Sequence, residues 1–292
     1  MARLSIALLT IASLFFGPSR SKAQEFNVFT MNLWRGQSVS CLSANPTDCE
    51  HGSAPRVGSL AGALTTADFV AIKDFGRESI LSLQEVDKHT SRAGGIDVAW
   101  EIDDALSPGW ANYFGSAMPY QGGQYGSAAV MSVAASQSAT WQLDNPDPST
   151  ESEPRIAVTT RHDFGSGKEL WVVNLHLDHL RTHRWGAERR WGAYYQFLSL
   201  LDWLDGLDPD TPTVLNGDFN LSQSADPVLF SWVESALASR GYSRVATWNV
   251  DHVFVRNPGG QLSVLYTIDY NPYHQGVTLS DHRWIKTVFR WN

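Results

Sequence analysis

Thr213-Val214-Leu215-Asn216-Gly217-Asp218-Phe219-Asn220-Leu221-Ser222 reads as a short apolar strand running into a turn. Pro212 precedes it, Val214-Leu215 forms the strand, and Asn216-Gly217 supplies residues that tolerate positive φ. The turn sets Asp218 and Asn220 side by side at a strand end. A buried strand fixes such groups, and its open end gives them access to a substrate. Taken alone, the stretch is equally a polar loop between a strand and a helix, because Asn, Gly and Asp are ordinary turn residues. The rest of the chain decides, since several other apolar strands also end in a carboxylate, a His or an Asn.

Working outward, Leu170 to Leu175 is a strand that ends in His176-Leu177-Asp178-His179. Arg155 to Arg161 is its hairpin partner across Gly165-Ser166-Gly167-Lys168. Phe26 to Leu33 and Ile80 to Val86 are apolar on both faces, as for strands inside a packed sheet. Asn32 lies at the end of the first. Glu85 lies in the second, where a buried carboxylate needs a cation or a strong donor. Residues 88–125 read as loop, rich in Gly, Trp and Tyr, and 126–133 with 139–143 as a pair of strands. Helical spacing marks Arg56 to Phe75, Gly186 to Asp205 and Pro227 to Arg240. The basic cluster Arg181, His183, Arg184, Arg189 and Arg190 sits at the start of the second helix, as a solvated face or a phosphate contact. Trp248 to Val255 reads as one strand carrying Asp251, and Ser280-Asp281-His282 leads into a last strand.

The 292-residue chain opens with Met1-Ala2-Arg3, an apolar run from Leu4 to Phe16 and a small-residue segment ending Ser21-Lys22-Ala23. This is the pattern of a secretory signal, and the run is well short of the ~20 apolar residues a spanning helix needs. The expected organisation is a signal over residues 1–23 and one domain over 24–292, in a secreted or periplasmic, monomeric protein with no transmembrane segment. Cys41 and Cys49 are the only cysteines. In an exported chain they form a disulfide closing a small loop, with two free thiols as the alternative. The formal net charge is −8, so the overall field does not steer the protein to polyanions. Action on phosphates would then need a local basic site or a bound cation.

Asn32, Glu85, His176, Asp218, Asn220, Asp251, Asp281 and His282 at strand ends suggest one convergent site. The residue types suit hydrolysis of a phosphoester assisted by Mg2+ or Mn2+. Carboxylates hold a hard cation, His beside Asp makes an oriented base, and Asn donates to developing charge. No Gly-rich phosphate loop, Ser elbow or Cys nucleophile competes.

Seven motifs occur in order: Met31-Asn32-Leu33-Trp34, Leu83-Gln84-Glu85-Val86, Glu153-Pro154-Arg155, Asn174-Leu175-His176-Leu177-Asp178-His179, Asn216-Gly217-Asp218-Phe219-Asn220, Asp251-His252-Val253-Phe254 and Ser280-Asp281-His282. Together they resemble the endonuclease/exonuclease/phosphatase superfamily, over nearly all of residues 24–292. The resemblance implies an α/β four-layer sandwich of the DNase I-like type, two packed mixed β-sheets flanked by helices. It also implies a metal site at Glu85, Asn32 and Asp281. Asp218, Asn220, His176 and the Asp251–His282 pair would be catalytic, with Arg155 and Asn220 on the substrate. Trp34 departs from members that process abasic DNA, which often carry Asp there, and Val133 stands where many members carry an Arg after the strand at 126–132; both argue against that repair role. The expected activity is a metal-dependent phosphodiesterase, with nucleic acid as the first substrate class. The alternatives are a phospholipid or sphingomyelin phosphodiesterase, an inositol-phosphate phosphatase, and a catalytically silent binding protein.

Overall fold

The computed structural model describes residues 25–34, 77–106, 108–144, 153–179, 190–274, 277–278 and 280–292. The signal expected over residues 1–23, the Cys41/Cys49 pair, the helix expected over 56–75 and nearly all of the basic cluster at 181–190 lie outside these residues.

Alternation sorts each strand's side chains between two apolar layers. In β1 (Glu25–Asn32), Phe26 and Val28 face one way and Phe29 and Met31 the other. The first sheet runs β11 (Leu262–Tyr270), β14 (Trp284–Trp291), β1, β2 (Glu78–Lys88), β4 (Gly123–Met131), β3 (Ala111–Tyr120). The second runs β5 (Ala135–Leu143), β6 (Arg155–Asp163), β7 (Glu169–His176), β8 (Thr213–Asp218), β10 (Asp251–Arg256), β9 (Tyr242–Trp248). Each has one parallel pair at its centre, β1 with β2 and β7 with β8, and antiparallel pairs elsewhere. Phe26, Val28, Ile80, Val158, Val172, Val214, Val255 and Phe289 fill the space between the sheets. Helix α1 (Val98–Leu106) packs outside the first sheet, and α2 (Arg190–Asp205) and α3 (Pro227–Ala238) outside the second. The result is the expected four-layer sandwich.

Some local expectations changed. The strands near 126–133 and 139–143 do not pair with each other; β4 and β5 belong to different sheets, joined by the short link after Met131. The stretch 88–125 contains α1 and β3. β3 is half-buried along most of its length, so its sequence shows no two-residue alternation. Trp248 to Val255 is a hairpin rather than one strand, because Asn249 takes φ 51° and turns the chain between β9 and β10.

Toward one end of the sandwich the inter-sheet layer changes from apolar to amide. Asn174 of β7 donates to the carbonyls of Leu83 and Ala128 in the opposite sheet, both at 2.9 Å, and accepts from Gln84 Nε2 at 2.7 Å. Asn216 of β8 donates to the Phe29 carbonyl at 3.2 Å. These bonds tie the two sheets together beside a bulge in β2 between Leu83 and Val86. Buried amides with partners are tolerated and fix register where apolar contact alone would allow sliding.

Gly217 shows how tightly the second sheet closes there. Its φ is 140°, and an added Cβ would lie 2.0 Å from the Leu175 carbonyl oxygen of β7. Backbone cannot move aside as a side chain would. Gly217→Ala is therefore expected to cost about 3 kcal/mol, read as a lower urea midpoint. A midpoint equal to wild type would show that β7 and β8 have slack at this point.

His162 is fully buried, between the Val133 carbonyl (3.0 Å) and the Thr160 hydroxyl (2.8 Å). Burial pushes its pKa down to about 4, although the Val133 bond favours the proton. Between pH 6.5 and 4 the unfolded chain binds a proton that the native ring refuses. This contribution is whole above pH 6.5 and is lost as pH falls through that window, by about 3 kcal/mol in all. His162→Gln should show a shallower loss of unfolding free energy between pH 7 and 4 than wild type, and parallel curves would refute the assignment.

Candidate active site

The end of the sandwich marked by the amides gathers groups from both sheets. Asp218, the last residue of β8, is buried, accepts two hydrogen bonds and is flanked by two imidazoles. Its Oδ1 takes the Asn220 backbone N–H at 2.8 Å, and its Oδ2 takes Asn32 Nδ2 at 2.9 Å. His176 Nε2 lies 3.6 Å from Oδ2 and His282 Nε2 lies 3.9 Å from it. Burial pushes the Asp218 carboxyl up in pKa; His282, the Asn220 N–H and Asn32 pull it back, and Glu85 adds to the rise.

Backbone conformation sets several of these positions. Glu85 sits on the bulge of β2 at φ 58°, a value a Glu rarely adopts outside turns. The bulge breaks the two-residue alternation, so Gln84 can turn inward to Asn174 while Glu85 reaches Asn32 Nδ2 at 3.5 Å. Asn32 Oδ1 takes the Trp34 N–H at 2.8 Å. That bond fixes the amide, with its nitrogen toward the two carboxylates. Asn220, at φ 51°, has its amide held between the Leu177 carbonyl (2.8 Å) and His179 Nδ1 (3.0 Å).

His282 donates Nδ1–H to Asp251 Oδ2 at 2.7 Å. Burial alone would lower its pKa; the Asp251 bond and charge, then Asp218 and Asp281, outweigh it and hold the imidazolium well above its ordinary range. Burial likewise pushes the Asp251 carboxyl up, with the His282 bond opposing. Both directions favour a proton held between Asp251 and His282. The His282 segment is tied to β1: Ser280 Oγ donates to the Asn32 carbonyl at 2.8 Å and accepts the His282 N–H at 3.0 Å.

Asn32, Glu85, His176, Asp218, Asn220, Asp251 and His282 thus meet in one place. Arg155 stands behind His176, 3.0 Å from its Nδ1. Asp281 is at the rim, with a side chain 41% exposed and Oδ1 3.9 Å from His282 Nε2. Ser280 and Trp248, though quoted within their motif and strand, carried no role in the sequence reading. The Trp248 ring stands 6.2 Å from the His282 ring, edge-on. Its only signal was its place three residues before Asp251.

The donor set fits a hard divalent cation. Ligand atoms of Asp218, Asp251 and His282 lie within 4.8 Å of one another. Asp251 Oδ1 is buried with no hydrogen-bond partner among the described residues, an acceptor whose desolvation a cation would offset. Glu85 and Asp218 flank the same Asn32 amide.

The sequence profile of the Endonuclease/Exonuclease/phosphatase family matches residues 30–282. Among solved structures, an endonuclease/exonuclease/phosphatase from Beutenbergia cavernae superposes with a TM-score of 0.67 at 16% identity, covering 92% of this chain and 72% of its own. A humanized TDP2 of D. rerio gives 0.59 at 16% identity, covering 91% of this chain and 99% of its own. ANGEL2, described as a 2′,3′-cyclic phosphatase, gives 0.61 at 16% identity over 91% of this chain and 95% of its own. At such identities the likeness shows the fold. No curated protein matches the sequence significantly.

Proposed function

The chain belongs to the endonuclease/exonuclease/phosphatase family of phosphoric ester hydrolases, and from that premise we propose that it is an exported, divalent-metal-dependent phosphodiesterase acting on nucleic acid. The observation that carries this reading is the convergence on Asp218 Oδ2 of Asn32, His176 and His282, from three distant parts of the chain. Mg2+ or Mn2+, held by the Glu85 carboxylate beside the Asn32 amide, would neutralise charge on phosphoryl and leaving oxygens. The remaining chemistry belongs to the chain. Asp218 has the raised proton affinity of a buried carboxylate and orients an attacking water, taking its proton. The Asp251–His282 pair carries a second proton beside it for the departing oxygen. The second amide hydrogen of Asn220 and His176 Nε2–H supply neutral donors to charge that grows on the phosphoryl group. The Trp248 ring adds an aromatic wall on which a base can stack. Export rests on the signal pattern of residues 1–23.

The test is a screen of the exported protein, its N-terminus sequenced, against plasmid DNA, RNA, sphingomyelin vesicles, inositol phosphates and a generic phosphodiester. The expected result is a chain beginning at Gln24 that nicks plasmid with Mg2+ or Mn2+ and stops on chelation. Phosphocholine release without nicking would move the substrate to lipid. Inertness on the whole panel under every divalent ion would overturn the proposal.

A further inference from the structure

Two imidazoles flank Asp218 Oδ2 at nearly equal distances, but what stands behind them differs. His282 is backed by a carboxylate, Asp251. His176 is backed by a guanidinium: Arg155 Nη1 lies 3.0 Å from His176 Nδ1. We propose that Arg155 is a positioning residue that fixes the tautomer of His176, so that the ring presents Nε2–H toward Asp218 and the phosphoryl group. The part played toward the phosphoryl group rests on the hydrolase reading above; the tautomer does not.

The argument is one of donors and acceptors. A guanidinium has N–H donors and no lone pair to offer. The contact with Nδ1 is therefore a hydrogen bond only if Nδ1 presents its lone pair, which leaves the proton of the neutral ring on Nε2. Nε2 is the atom 3.6 Å from Asp218 Oδ2. A second proton on the ring would set Nδ1–H against Nη1–H and one cation against another. Arg155 and His176 are both buried, so water cannot screen that clash.

Arg155 itself is well anchored. It opens β6, its side chain is 5% exposed, and its Nη2 donates to Glu153 Oε2 at 2.8 Å, with Asp178 Oδ1 at 4.0 Å. Burial works against its charge, but Tyr125, Glu153, Asp178 and Glu85 more than restore it. The motif Glu153-Pro154-Arg155 thus acquires a purpose that does not require Arg155 to touch substrate. The opposite backing of the two rings gives them opposite capacities. Asp251 accepts Nδ1–H from His282 and stabilises its imidazolium, leaving Nε2 free to give or regain a proton. Arg155 instead takes up the Nδ1 lone pair of His176.

The decisive measurement is 15N NMR of the histidine rings in the wild-type, metal-free protein at neutral pH, with His176 assigned by its loss in His176→Gln. The expected pattern is an Nε2 of pyrrole type bearing hydrogen and an Nδ1 of pyridine type. In Arg155→Met the two nitrogens should move toward an averaged or doubly protonated signature. A wild-type His176 found as Nδ1–H, or doubly protonated, would overturn the proposal, whether or not the Arg155 variant folds. A kinetic arm follows from the same claim. His176→Ala should lower kcat by about 100-fold, the usual loss for one donor to a developing oxyanion. His176→Gln, which can return an amide N–H near the same point, should lose less and leave the shape of the pH profile unchanged. If His176→Gln is as impaired as His176→Ala and one limb of the profile disappears, His176 moves protons and the proposal fails. Absence of any phosphoesterase activity together with the Nε2–H tautomer would refute the hydrolase reading while supporting the role of Arg155.

Discussion

Asp218→Asn is expected to lower kcat by about 1,000-fold on any phosphodiester the enzyme cleaves, with the fold kept. The carboxylate is the point at which both sheets meet chemically: Asn32 comes from β1, His176 from β7 and His282 from the segment before β14. An amide at 218 keeps the shape but loses the capacity to accept a proton. It also turns a nitrogen toward Asn32 Nδ2 or the Asn220 N–H, which already donate there. One such donor facing a donor should cost a further 1–3 kcal/mol or so of stability. The assay is steady-state hydrolysis with Mg2+ or Mn2+, alongside circular dichroism and urea unfolding. A folded Asp218→Asn protein with kcat within a few-fold of wild type would remove Asp218 from the chemistry, and with it the proposed mechanism.

The second large effect concerns the pair beside it. His282→Ala should lower kcat by between about 100- and 10,000-fold, and Asp251→Asn by a comparable amount. The double variant should be scarcely worse than the weaker single one. The reason is geometric: at 2.7 Å, Asp251 acts on the reaction through His282, by holding its ring and its proton. Residues that act as one unit give losses that do not add. A double variant whose loss is the product of the single losses would mean that Asp251 acts independently. Direct work on a cation is then its natural role, since Asp251 Oδ1 is a buried acceptor without a protein partner among the described residues.

Much of this site was legible because its groups announce themselves locally. Asn216-Gly217-Asp218-Phe219-Asn220 places a carboxylate and an amide after an apolar strand, and β8 does end at Asp218. Glu85 was conspicuous as a charge among apolar neighbours. The pairing of Asp251 with His282 is different. Thirty-one positions separate them, and the resemblance, rather than any spacing, joined them. Other features depend on which strand faces which, and no local pattern carries that. Asn174 reads as the tail of a strand, yet it bonds to two carbonyls of the opposite sheet. The bulge at Glu85 and the turn at Asn249 escaped for a related reason. Each is a single residue at positive φ, and neither is the glycine that would mark such a turn in sequence. Strand β11 went unread although Val264, Tyr266 and Ile268 are strand-forming types at alternate places; it is an edge strand, and those side chains are exposed.

The amide bonds of Asn174 and Asn216 bear on how the enzyme can move. Each is anchored in one layer and holds main-chain oxygens of the other, next to the strand ends that deliver Asp218, Glu85 and Asn32. Shearing one layer past the other by a residue would break all three at once and strand them away from water. The half-sites therefore arrive pre-aligned and cannot breathe apart along the strands. Any adjustment to the bulk of a bound group would have to come from segments outside these two tied layers.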